Sequence, residues 1–318
     1  VTEIAKPSPY RVTVHAIAWL AFLCALPLLL SGADVTTRRV GMAVPDWPTT
    51  FNENMVTYDM SNAPEGVRIE HRHRLFGMAL GISTIVVVVW FLIRAPRSWM
   101  KVLAVIVLLA VITQGLLGGN RVLRNSTLIA SIHGTSAQVV LALLTTLVVM
   151  TSRSWLEPVK WTVPSWQRSA CLIAPLVVMI QAALGARLRH FSTGLEWHAS
   201  GAVVVGLFLV SLSLSLIRRG SLVSPLARVA RACFFIVLLQ IGLGLTAWWL
   251  LQPFDGIPRP LNLGQIVLKN AHFVNGALLL AASTALALRS FRHLEAMPRH
   301  SRPVESLVGN LNPAEAIR

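Results

Sequence analysis

Charge is scarce in this sequence, acidic charge above all, and cysteine is nearly absent. Of 318 residues only 13% are charged, with 13 Asp and Glu against 28 Lys and Arg, about half the share of an ordinary soluble domain. With 54% hydrophobic residues and a mean hydropathy of +0.64, this excludes a sizeable extramembrane domain and describes a membrane protein. The three cysteines, Cys24, Cys171 and Cys233, all fall inside apolar runs. A disulfide stapling an outer loop is therefore excluded, and small buried hydrophobes are the expected role. No cleavable signal peptide is expected either, because the first apolar run is too long and has no small-residue cleavage site; no Arg-rich amphipathic transit segment precedes it.

What is present are eight apolar runs of bilayer-spanning length, roughly 20 residues each, at about 12–32, 73–93, 100–119, 130–150, 170–187, 195–217, 228–251 and 268–288. They predict an all-α membrane protein of eight transmembrane helices, since only helices or closed barrels satisfy the backbone in lipid. The net charge of +15 is spread over loops and tails rather than one amphipathic face, so a nucleic-acid partner is not expected and the bilayer is. Counting Lys and Arg by side gives 17 on the side of the termini and 11 on the other. The positive-inside rule then puts both termini in the cytoplasm or the mitochondrial matrix, in a bacterial plasma membrane or a mitochondrial inner membrane.

A phrase recurs wherever an outgoing span meets its return: QGLLGGNR then IHGTSA, QAALGARLR then WHASGA, QIGLGL then AHFVNGA. Gln114, Gln181 and Gln240 are each followed four residues later by Gly118, Gly185 and Gly244; the first hairpin has Leu28 in the Gln place and Gly32 in register. The four return helices open with His73, His133, His198 and His272, all on the outer side, and the residue at i+4 on the same face is Gly77, Ala137, Ala202 or Gly276. An imidazole above a small residue leaves a flat slot suited to a planar macrocycle held at its metal. Any one such His could equally bond a neighbouring helix; the fourfold recurrence at one depth favours haem ligation. Iron fits better than zinc, because no acidic or cysteine ligands stand at zinc spacing.

Pairing successive hairpins predicts two pseudo-symmetric four-helix bundles. Residues 1–151 would hold one haem between His73 and His133, residues 152–288 a second between His198 and His272, and 289–318 would form a disordered cytoplasmic or matrix tail. The symmetry breaks three residues before each His, where Glu70, Ala130, Leu195 and Lys269 stand. Glu70 could pair with Arg74 at i+4 as a surface ion pair. It also shares the face of His73, so a carboxylate is aimed at the rim of one site alone. The outer Arg72, Arg74, Arg121, Arg124, Arg187, Arg189 and Lys269 are candidates for haem propionates, or equally for lipid headgroups.

GMAVPDWPTTF (41–51), IEHRHRLFG (69–77), GGNRVLRNSTLIASIHG (118–134) and GARLRH (185–190) together resemble the haem A synthases, and the resemblance runs through all eight spans. It implies oxidation of a ring methyl of haem O to a formyl group by successive hydroxylations, for the cofactor of terminal oxidases. It further implies Glu70 as the catalytic carboxylate, His73 and His133 as ligands around the substrate haem O, and His198 and His272 as ligands of a resident haem B. A haem O synthase and an electron donor are the implied partners; the oligomeric state is not readable. The cysteine pair that some bacterial members carry in the first outer loop is missing from residues 33–72. A di-haem electron-transfer cytochrome and a non-catalytic haem carrier for oxidase assembly are the rival readings, since both would use the four histidines.

Overall fold

The computed structural model describes residues 10–158, 161–219, 225–251 and 261–296. Eight long helices carry the chain: α1 (Val12–Thr37), α2 (Glu65–Arg94), α3 (Ser98–Leu123), α4 (Thr127–Thr151), α6 (Ser165–Phe191), α7 (Leu195–Arg219), α8 (Pro225–Leu251) and α9 (Leu263–His293). Each is long and apolar enough to cross a membrane, and the protein is an integral membrane protein. A single turn, α5 (Arg153–Leu156), follows α4. Besides the helices, a short parallel ladder of β1 (Trp161–Val163) and β2 (Leu294–Ala296) ties the end of α9 to the segment before α6.

Helix contacts close into two rings of four. In the first, α1 and α3 each pack on both α2 and α4; in the second, α6 and α8 each pack on both α7 and α9. The rings meet where α9 lies against α1 and α4, and α4 against α6. Small residues make that approach possible: Ala18, Ala21 and Ala25 of α1 and Ala277, Ala281 and Ala285 of α9 are buried in one core cluster. Large apolar side chains point outward instead, among them Ile82, Ile93, Leu207 and Trp249, as a bilayer rather than water demands.

The helices outrun their apolar stretches at the end of the bundle that carries the four histidines. α1 continues to Thr37 and α2 starts at Glu65, so the charged stretch 70–74 is helical and the connection before it shortens to residues 38–64. Pro64 stands just before the first turn and Glu65 within it, both favourable there. The polar first turns of α2 are sustained by burial of Val67, Ile69, Glu70 and His71 beneath protein, not lipid. The last helix likewise runs to His293, past the expected start of the tail at 289, and residues 297–318 of that tail lie outside the described residues.

Candidate functional site

Each of the four histidines is seated against a glycine of the preceding helix. A Cβ built on Gly32, Gly118, Gly185 or Gly244 would stand 2.9–3.0 Å from Cε1 of His73, His133, His198 or His272 respectively. This is why glycine recurs at that register: any side chain would push the ring away. The Gln one turn earlier fixes the ring. Gln114 Nε2 donates to the His133 carbonyl at 2.6 Å and lies 3.0 Å from its Nδ1. Gln181 repeats both contacts with His198, at 2.8 and 3.1 Å. In the first hairpin, with Leu28 in the Gln place, Ser31 Oγ meets His73 Nδ1 at 3.1 Å. With Nδ1 occupied, Nε2 is the nitrogen left for a metal. His272 differs: Gln240 Nε2 lies 3.3 Å from its Nε2, while its Nδ1 is buried without a hydrogen-bond partner.

The rings face one another in the expected pairs. His73 and His133 have centroids 6.4 Å apart at 85°, and His198 and His272 6.2 Å at 86°. Two metal–nitrogen bonds of about 2 Å plus two ring radii of about 1.1 Å give about 6.2 Å, so each pair has the span of two imidazoles on one metal ion. The described residues hold no cluster of three or more His, Cys, Asp or Glu able to bind a metal. A pair of imidazoles suits a macrocycle that brings its own four nitrogens. The orphaned Nδ1 of His272 fits a missing ligand bond equally.

Around the first pair lies a cavity of about 610 Å³, lined by His73, His133, Glu70, Gly77 and Ala137 among others. The small residues at i+4 of His73 and His133 therefore do face the space beneath the imidazoles. Gly276 does not follow that pattern, since a Cβ there would meet Gln240 Nε2 at 3.1 Å.

Glu70 is only 2% exposed. Its Oε1 accepts from Arg74 Nη2 at 2.9 Å and its Oε2 from the Val44 N–H at 2.9 Å. Arg74 Nη1 also donates to the carbonyls of Asp46 and Thr49, and Nη2 to that of Val44. All four Nη protons are spent within the protein, so Arg74 clamps the 38–64 connection. That connection forms the outer wall. Trp47 lines the cavity and lies so close to Gly119 that a Cβ there would overlap its ring; Arg121 Nη2 donates to the Gly41 carbonyl at 2.6 Å. Asp46 organises the turn: partial burial raises its pKa, but the Thr49 hydroxyl and the Asn52 and Phe51 N–H groups outweigh that and hold it down at about 2.

Arg121 and Arg189 line the cavity. Arg189 arrives from α6, donates to Ala33 O at 2.8 Å and Thr37 Oγ1 at 3.0 Å, and stacks 4.9 Å from the Phe273 ring centre. Arg124 and Arg187 are exposed and are not among the described lining residues. Arg72 reaches Asp34 at 3.7 Å, and Lys269 lies within electrostatic reach of Arg39 and Arg189. The sequence reading missed four contributors: Ser31, and the cavity-lining Arg39, His190 and Phe273. His190 was readable, as the last residue of the GARLRH phrase; Phe273, next to His272, carried no signal of its own.

An eight-helix integral membrane protein with two opposed histidine pairs, one of them facing a cavity with a buried carboxylate, belongs to the class of haem-handling membrane proteins. The sequence model of the cytochrome oxidase assembly protein family, COX15-CtaA, matches residues 15–197, and the chain belongs to this family, that of the haem A synthases. The match takes in Glu70, His73 and His133 and ends just before His198. No curated protein matches the chain.

Proposed function

We propose that the chain is a haem A synthase that oxidises a ring methyl of haem O to a formyl group. The observation that supports this best is the one-sidedness of the two sites. Glu70 is buried at the cavity wall one turn before His73, while Ala130, Leu195 and Lys269 hold the corresponding places. An electron-transfer cytochrome or a haem carrier needs no such carboxylate.

In this reading His73 and His133 hold the iron of the substrate haem O, and His198 and His272 hold a resident haem B, which supplies electron transfer when bound. The two rings of helices then correspond to a substrate bundle (1–151) and a cofactor bundle (152–288), related by the repeated Gly, Gln and His geometry. Arg121, Arg189 and Arg39, which line the cavity, would hold the propionates. Each of two hydroxylations adds one oxygen atom and removes two electrons from the methyl carbon, either with dioxygen that two donor electrons reduce to that atom and a water, or with water and an external two-electron acceptor; the resulting geminal diol loses water to give the formyl group. Each oxygen of Glu70 accepts one bond within the protein and keeps a second lone pair, so the carboxylate can take a proton from the reacting carbon or its hydroxyl while Arg74 holds it in place. Trp47 and the clamped connection keep water from the outer rim. An outward-facing site with both termini inside agrees with the distribution of Lys and Arg.

The test is extraction of haems from membranes that coexpress the chain with a haem O synthase, with chromatography and mass identification. Haem A or its hydroxylated precursor, absent without the chain, supports the reading. Unchanged haem O beside haem B in folded protein, with a donor supplied, would favour a cytochrome or carrier.

A further inference from the structure

At the end of the helices remote from the four histidines, the seam between the two rings finishes in a cation. Ala277, Ala281 and Ala285 of α9 are buried along that seam at i+4 spacing, and the next place on the same face is Arg289. Its guanidinium is half-buried and donates from Nη1 to the Ser154 hydroxyl of α5, while its Nε is buried with no hydrogen-bond partner. Arg228, in the first turn of α8, lies within electrostatic reach of it. α8 leans into the same seam, since Val229 packs with Leu288, Tyr10 and Trp155 against the first core cluster. Two guanidinium groups thus converge where α5, α8 and α9 meet.

The ion pairs among the described residues take in neither Arg228 nor Arg289; at this end they use Arg153 and Glu157. His15 of α1, also within electrostatic reach of Arg289, brings no compensating group. Its Nε2 accepts from Trp19 Nε1 at 3.1 Å, and its Nδ1 lies 3.0 Å from Thr151 Oγ1, whose own proton goes to the Leu147 carbonyl. Both ring nitrogens are occupied within the protein. Like charges in a partly desolvated crevice repel more strongly than in water, and a buried N–H without an acceptor adds its own cost. An anion between the two guanidinium groups removes both penalties.

Phosphate has the matching chemistry, because its oxygens accept several hydrogen bonds and a guanidinium fork can grip two of them at once. The surroundings point to a phosphate carried by lipid. An aromatic ridge runs along α1 beside the crevice, with ring centres 6.0 Å apart for Tyr10 and His15, 6.3 Å for His15 and Trp19, and 5.4 Å for Trp19 and Phe22. Trp19 is exposed, as indoles at the level of lipid headgroups are. We infer that Arg228 and Arg289 form a site for the headgroup phosphate of one anionic phospholipid, which ties α8 and α9 of the second ring to α5 at the end of the first. A zwitterionic lipid fits less well, since its ammonium group returns a positive charge to the crevice.

The test titrates the full chain, purified in detergent with the haems it retains, with phosphatidylglycerol or phosphatidylcholine and reads lipid retention by native mass spectrometry. Wild-type protein should keep one phosphatidylglycerol per chain and prefer it by about tenfold or more. Arg228→Gln, at an exposed position, should lower that preference about fivefold, the scale of one cation at a membrane surface, and the double variant with Arg289→Gln should abolish it. If Arg289→Gln fails to fold, as judged by its haem spectrum, Arg228→Gln and Arg228→Glu carry the comparison. Arg153→Gln removes another cation from the same end and should leave the preference intact; an equal fall there would mean diffuse surface attraction and overturn the site. Equal retention of the two lipids by the wild type, or undiminished phosphatidylglycerol in Arg228→Gln, overturns it as well. Displacement of the lipid by millimolar inorganic phosphate would mean a site for a soluble anion and overturn the lipid assignment.

Discussion

Arg74 and Glu70, one turn apart on α2, form an ion pair at 2.9 Å whose side chains are only 8% and 3% exposed. The same guanidinium reaches three carbonyls of the outer connection, so the carboxylate at the cavity and the wall above it are held by one group.

Arg74→Ala should therefore do two things at once. Breaking a buried pair by removing one partner costs about 3–5 kcal/mol, and the connection loses three acceptors' worth of anchorage. Limited proteolysis should show fast cleavage within residues 40–60 in the variant and protection in the wild type. Arg74→Lys, with three donors for four bonds, should fall between them; equal protection in all three would show that the clamp is not what holds the wall.

Glu70→Gln keeps an acceptor for the Val44 N–H and nearly the same volume. It should retain both haems and their bis-imidazole spectra but lower haem A formation by about 100-fold or more, the scale of a lost acid–base group. Normal haem A output from this variant would remove Glu70 from the chemistry.

Gly118→Ala and Gly185→Ala separate the sites. The added methyl meets Cε1 of His133 at 3.0 Å or of His198 at 2.9 Å, so each ring must turn from its partner. Gly118→Ala should impair uptake of haem O with the resident haem intact, and Gly185→Ala the reverse. Redox-difference spectra of the purified variants distinguish these outcomes, and loss of both haems in either variant would mean general misfolding.

Asp46 gives a pH signature. Its folded pKa of about 2 lies below the ordinary value of about 3.9, so the docked connection binds fewer protons than the released one. Its stabilisation is full above about pH 4, falls through the interval down to about pH 2, and is gone below it. Protection of residues 40–60 from an acid protease should decline over that interval in the wild type. Asp46→Asn should start lower and lack this part of the pH dependence.

Much of this site is legible in the sequence because it is local and repeated. The Gln-to-Gly spacing and the histidine at each return helix are set by one hairpin geometry, and the structure assigns a purpose to each: the glycine clears the ring and the Gln pins it. Ser31 escaped because it serves His73 from a position three residues off the Gln register, and a register can be matched only by place. The first turns of α2 escaped because their burial comes from the outer connection, which leaves no apolar run to read. The sequence marks Arg74 as a cation for an anionic group, and only the folded connection shows that its four Nη protons go to Glu70 and three carbonyls. That Arg189, His190 and Phe273 stand at the first histidine pair, and not only at the second, follows from the packing of the second ring of helices on the first.

Those last three residues come from α6 and α9 yet wall the cavity beside His73 and His133. The halves of this chain are thus not autonomous modules, however alike their hairpins. An N-terminal half made alone would be a vessel with one side missing, and an exchange of C-terminal halves between relatives would alter the substrate chamber without touching a single residue of the half that holds its iron ligands.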